Sequence, residues 1–170
     1  GNFTGANLEG ANLMGADFSG ACFSKAVLCG LDLHKTQLSQ AEFHSANLRG
    51  VLMDGLSVPG GCFQEACLDE AKLRGADLLK ANFEKASFQG ADLSRANMAC
   101  VNLKDADLSH AMLEKTNLVA ADMTAANVAG AVFYDALLVA ARVQGIRGWE
   151  SAKVQGADLT GALRPPMPRH

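Results

Sequence analysis

Aromatic side chains are scarce in this chain: one Trp, one Tyr and eight Phe, 6% of 170 residues. With so few rings, and with 17 Gly, the interior must be built from small and aliphatic side chains held in tight turns. Neither sign of charge dominates, since 15 Lys and Arg stand against 18 Asp and Glu, a net of −3. There is no basic excess to neutralise phosphates, which argues against direct nucleic-acid binding. No apolar run nears the ~18 residues of a membrane helix, so no membrane span is expected. The start carries no secretory signal pattern. The chain opens Gly1-Asn2-Phe3, without Met and already inside the pattern described next, and so reads as a piece of a longer protein. Five Cys without a CxxC make an odd set that suits reduced thiols in a cytoplasmic setting better than a disulfide framework.

What the chain has in abundance is a period of five. Stepping by five from Phe3 to Val143 gives 29 positions holding 15 Leu, 8 Phe, 3 Met and 3 Val. This centre column contains every Phe of the chain and nothing polar. Two residues earlier, a second column from Gly1 to Ala141 is Ala at 21 of 29 positions, and neither column contains a charge. A period of five is neither the ~3.6 of an α-helix nor the ~2 of a flat strand. The chain must turn a corner at each repeat so that large and small residues return inward. Gly fills 12 of 29 places two after the centre, where a turn can require positive φ. Asn or Asp often precedes the centre, as in Ala6-Asn7-Leu8 and Ala91-Asp92-Leu93.

A second period sets the size of one coil. Phe3, Phe23, Phe43, Phe63 and Phe83 recur every 20 residues and are continued by Leu103, Met123 and Val143. Four repeats per coil predict a square cross-section, with coils stacked like parallel strands at ~4.8 Å over a length of about 35 Å. These columns resemble the pentapeptide-repeat family, whose loose motif is A(D/N)Lxx, from residue 1 to about 163. The resemblance implies an all-β fold, a right-handed quadrilateral parallel β-helix of about seven to eight coils. It also implies free thiols, and a function in binding other macromolecules. Some members imitate duplex DNA and engage DNA gyrase or topoisomerase IV.

The pattern weakens in two places. Val51 and Leu56 replace Ala opposite the slimmer Met53 and Val58, which reads as volume compensation in a packed core. After Val143 the phase slips by one residue, and Ala152-Lys153-Val154 and Ala157-Asp158-Leu159 carry the new register. We therefore expect a β-helix over 1–143, a bulge around Gln144–Gly148 with shifted terminal repeats over 144–163, and a frayed tail over 164–170. Trp149 either covers core that the bulge would open or simply stands in the centre column.

A search for chemistry returns little. His34, His44 and His110 fall on three different faces and do not converge as metal ligands must. Cys22 and Cys62 lie two coils apart, about 9–10 Å, beyond disulfide reach; Cys62 with Cys67 is the one pair worth testing. There is no GxxxxGK[ST] phosphate loop and no implied concave pocket. No catalytic residue, metal or cofactor is expected, and we read the chain as not an enzyme.

Sorted by 20-residue ladder, the outward residues differ from side to side. The Leu8 side carries Arg49 against Glu9, Asp69, Glu70 and Asp107, a net of −3; the Phe3 and Leu13 sides are near balance. The Phe18 side turns from polar to apolar toward the C-terminus, reading Ser19, Ser39, Pro59, Leu79, Ala99, Val119, Val139. Ala120, Ala140 and Leu137 flank that ridge. Such a ridge is a candidate contact surface, for a protein partner or for a second copy in a homodimer, unless residues 144–170 fold back over it. The leading expectation is a non-catalytic scaffold or protein–protein interaction module within a larger bacterial protein. The alternative is a DNA-mimicking binder of DNA gyrase or topoisomerase IV of the quinolone-protection type, against which a net of −3 counts.

Overall fold

The structure, a computed structural model, describes residues 1–162. The turn explains the repeat. In each pentapeptide the residue three after the centre donates its N–H to the centre carbonyl, as Ala46 does to Phe43 at 3.0 Å. That bond closes a β-turn, and the turn's third place is left-handed. The residue before the centre is left extended and pairs with the residue twenty along, as Cys22 pairs with Glu42 and Glu42 with Cys62, in parallel. Twenty residues therefore complete one coil of four sides.

Coils are tied together by three recurring bonds. Phe23 N–H donates to the Glu42 carbonyl at 2.7 Å, Glu42 N–H to that of Ala21 at 3.0 Å, and Lys25 N–H to that of His44 at 2.8 Å. Among the described residues no continuous strand results; the pairings are isolated parallel bridges, and the one helical element is a 3₁₀ turn. The strand-like parallel stacking expected from the sequence is present as these bridges. They stay short because a turn in every five residues leaves only one residue per side free to pair in both directions.

Both inward columns are buried. Every centre residue from Phe23 to Val143 is shielded from solvent, and so is the small column from Ala21 to Ala141 except Leu56, which is half-buried. The Phe ladder packs ring on ring, with centroids 5.0, 5.2, 4.9 and 4.8 Å apart from Phe3 to Phe83. That spacing is the coil rise, so like side chains stack without gaps. Thr116 is tolerated in the small column because its hydroxyl donates to the Leu93 carbonyl at 2.8 Å.

The turn demands more than the sequence suggested. Positive φ occurs at every place two after a centre, including seventeen that are not Gly, such as Lys25 at 59°, Glu65 at 59° and Ala120 at 55°. Stacking imposes this, since most such residues aim their N–H at the next coil, as Lys25 does at the His44 carbonyl and Ala120 at that of Val139.

The register slips near the C-terminus. Asn127 still pairs with Arg147, twenty along, but Val132 pairs with Lys153 and Leu137 with Asp158, twenty-one along. The extra residue thus lies after Arg147. The sequence pattern puts the bulge around Gln144–Gly148; in the structure Gln144 and Gly145 form a regular turn, closed by Ile146 N–H on the Val143 carbonyl at 3.3 Å. Gly148 comes so close to the preceding coil that a Cβ there would sit 2.5 Å from the Ala129 nitrogen, and its φ is 73°. The 3₁₀ turn Trp149–Ser151 follows. Trp149 lays its ring 5.9 Å from that of Phe133, packing on the core beside the side-chain-free Gly148. Ser151 Oγ accepts the Gly130 N–H at 3.0 Å, standing in for the carbonyl that the shifted backbone takes away. The expected tail, 164–170, lies outside the described residues.

Candidate interaction surface

The Phe18 side is one continuous ladder of bridges from Ser57 through Asp77, Asn97, Asn117 and Leu137 to Asp158. Its turn residues form the ridge singled out in the sequence. Leu79, Ala99, Val119 and Val139 are half-buried, while Ala120, Leu137 and Ala140 are exposed, Leu137 at 44%. Ala120 N–H donates to the Val139 carbonyl and Ala140 N–H to that of Thr160, each at 2.9 Å. Residues 157–162 therefore extend the rod past the ridge and do not fold over it. Asp158 and Thr160 give the ridge a polar lower border.

Beside the ridge runs an amide ladder. Asn97 Nδ2 donates to Asp77 Oδ1 at 2.9 Å and Asn117 Nδ2 to Asn97 Oδ1 at 3.2 Å. Each of these oxygens also accepts a backbone N–H two residues on, as Asn117 Oδ1 does from Val119 at 3.1 Å. Leu137 breaks this ladder and is left bare. Around the next corner, on the Leu13 side, Met112 and Tyr134 are also exposed, at 41% and 37%. This continuation is not legible in the sequence, because Met112 and Tyr134 belong to a different twenty-residue ladder from Leu137.

The acidic Leu8 side holds Asp69, Glu70 and Asp107 in contacts with neighbouring side chains. Arg49 pairs with Glu70 at 2.6 Å, Ser87 Oγ donates to Asp69, and Gln89 Nε2 and Asn127 Nδ2 donate to Asp107 at 2.9 and 3.1 Å. Burial would raise the Asp107 carboxyl, but bonds from Ser109, Gln89 and Asn127 outweigh it and hold the group below the usual range.

The remaining candidates stay apart. All five cysteines are free thiols, Cys62 and Cys67 included. Hydroxyls of Ser24 and Thr4 lower the Cys22 thiol, whereas burial raises that of Cys67. His34 leans on Asp32 at 2.6 Å. Among the described residues no group of His, Cys, Asp and Glu could hold a metal ion. None of their helices is long and apolar enough to cross a membrane.

With the five-residue turn and the twenty-residue coil established, the comparisons agree. The family model of pentapeptide repeats matches in eight copies, over residues 1–30, 23–55, 62–99 and 102–138. The chain belongs to the pentapeptide-repeat family. A trypsin-treated form of QnrB1, a plasmid-mediated fluoroquinolone resistance protein, is similar at TM-score 0.85 and 21% identity, over 95% of this chain and 81% of that one. A second trypsin-treated form of QnrB1 gives a TM-score of 0.68 at 23% identity, over 95% and 76%. HetL, a pentapeptide repeat protein from the cyanobacterium Nostoc sp. strain PCC 7120 involved in heterocyst differentiation regulation, shares 25% identity over 94% and 91%, at TM-score 0.42. No curated protein matches the chain.

Proposed function

We propose that this chain is a non-catalytic interaction module, a right-handed rod of about seven to eight coils acting in a bacterial cytoplasm. The observation that carries the reading is the ridge of the Phe18 side: apolar over Leu79, Ala99, Val119 and Val139, and bare at Leu137. An apolar strip on a rigid, regular side is costly unless a partner covers it. The partner is another protein or a second copy of the chain, and free thiols suit a reducing compartment. Val119→Glu with Val139→Glu keeps the fold, because both residues face outward, and weakens association. Sedimentation and melting of wild type and double mutant test this. A double mutant that melts at the wild-type temperature and retains full association would refute the ridge.

A second reading is the one that the pentapeptide-repeat resemblance raises, a DNA-mimicking binder of DNA gyrase or topoisomerase IV; this chain shares its fold with QnrB1, a plasmid-mediated fluoroquinolone resistance protein. The Leu8 side counts against it, since three of its four carboxylates, Asp69, Glu70 and Asp107, are bonded to neighbours and do not form parallel rows of free charge. A supercoiling assay with DNA gyrase separates the readings: inhibition that competes with DNA favours the second, and none at micromolar protein removes it.

A further inference from the structure

We infer that the recess beside the apolar ridge is a receptor for an arginine side chain presented by the protein partner, an assignment that rests on the interaction-module reading. A recess of about 290 Å³ is lined by Glu114, Tyr134, Asp135 and Gln155. The twenty-residue coil sets Glu114 above Tyr134, and the slipped register sets Gln155 below, so the three share one corner ridge. Gly156 opens the space. A Cβ there would lie 2.1 Å from Asp135 Oδ1, so only Gly lets this carboxylate lean across the corner.

The lining suits a guanidinium group. Tyr134 offers an aromatic ring, 37% exposed, over which a planar cation can lie. Asp135 has no cation and no hydrogen-bond donor on its carboxylate among the described residues, and is available for a bidentate pair. Glu114 is engaged in part by Lys115 at 3.5 Å, which leaves Asp135 as the principal anion. The Gln155 amide can accept a further N–H. Leu137, three residues after Tyr134, would meet the aliphatic part of the same partner segment. An ammonium group fits less well, because it cannot lie flat on the ring and bond the carboxylate with two parallel donors.

Tyr134 is the only Tyr in the chain, so its ring resonances report on the recess alone. The probe is N-acetyl-arginine amide, titrated at ~150 mM salt to screen non-specific attraction. Saturable shifts of the Tyr134 ring and the Gln155 side-chain amide are expected. Neutral N-acetyl-citrulline amide should leave them in place. Asp135→Asn, which keeps shape and tolerates positive φ, should weaken the midpoint by about tenfold. Asp158→Asn, the same charge removed from the neighbouring side, should leave it unchanged. Shifts equal for arginine and citrulline, or an Asp135→Asn midpoint equal to wild type, overturn the proposal, as does a Tyr134 ring that does not respond. The probe does not touch the Val119–Val139 ridge, so failure here is distinct from failure of the ridge in sedimentation.

Discussion

Asn97 donates through Nδ2 to Asp77 Oδ1 at 2.9 Å, and that same oxygen accepts the Leu79 N–H at 3.3 Å. One side chain thus closes its own turn and is tied to the coil that follows. This dual use explains why Asn and Asp recur before the centre residue: their side-chain oxygen reaches the N–H two residues on, more strongly than a Ser or Thr hydroxyl does, and the Asn amide can still donate to the neighbouring coil. Asn97→Ala removes bonds to both neighbouring coils and should cost about 1–2 kcal/mol. Urea denaturation of this variant checks it, and an unchanged midpoint would mean that the ladder is incidental.

The inward columns predict opposite faults. Phe43→Ala removes a ring stacked on both sides and should cost about 3–5 kcal/mol through the cavity it leaves. Ala86→Leu forces bulk into a buried small place and should cost roughly 1–3 kcal/mol or more. Thermal melts of both decide the matter; a neutral Ala86→Leu would contradict the packing of that column.

Left-handed turn residues predict stabilising changes. Ala120 is held at φ 55°. Gly relieves roughly 1–2 kcal/mol of strain there and returns about half as extra chain entropy, so Ala120→Gly should gain about 0.5–1 kcal/mol. The converse depends on space. Gly60 has open surroundings, and Gly60→Ala should lose only about 0.5–1 kcal/mol, the strain less the chain entropy that Ala removes. Gly148→Ala also collides with the Ala129 backbone and should lose about 2–4 kcal/mol. Equal losses at Gly60 and Gly148 would show that close approach plays no part at the bulge.

Acid sensitivity follows from Asp107 and Asp122. Burial pushes both carboxyls up, yet hydrogen bonds prevail and hold both low: those from Ser109, Gln89 and Asn127 at Asp107, and those from Thr124 and Lys104 at Asp122. A carboxylate whose folded value lies below its unfolded one stabilises the fold above the unfolded value. That contribution is lost as pH falls through the folded value. Stability should therefore hold from neutral pH to about pH 4 and decline below it. Urea midpoints at descending pH should fall less steeply for Asp107→Asn with Asp122→Asn than for wild type. Parallel slopes would assign the acid loss to other groups.

How far the sequence could be read depended on periodicity. Phe23, Phe43 and Ala86 were legible as core because a strict repeat leaves no other way to bury them together. The ridge residues Val119 and Val139 were legible as one line because twenty residues close a coil. The left-handed turn at Lys25 and Glu65 was not, since these residues carry no preference for positive φ and take it only under the coil's bonding pattern. Nor was the place of the extra residue, because Gly145 and Gly148 both look like turn formers. The stacking on Ala129 and the bond from Gly130 to Ser151 select the second.

By itself, then, the sequence determined the period, the four-sided coil and the two inward columns, all of them consequences of where large, small and charged side chains can reside. Which carboxylates are free and which are bonded was decided only by tertiary structure. Arg49 meets Glu70, and Gln89 meets Asp107, across stacked coils about twenty residues apart. Whether such side chains touch depends on rotamers and on the neighbours above and below. The same is true of Asp135, whose carboxylate lies across the corner because Gly156, twenty-one residues away, presents no side chain to stop it.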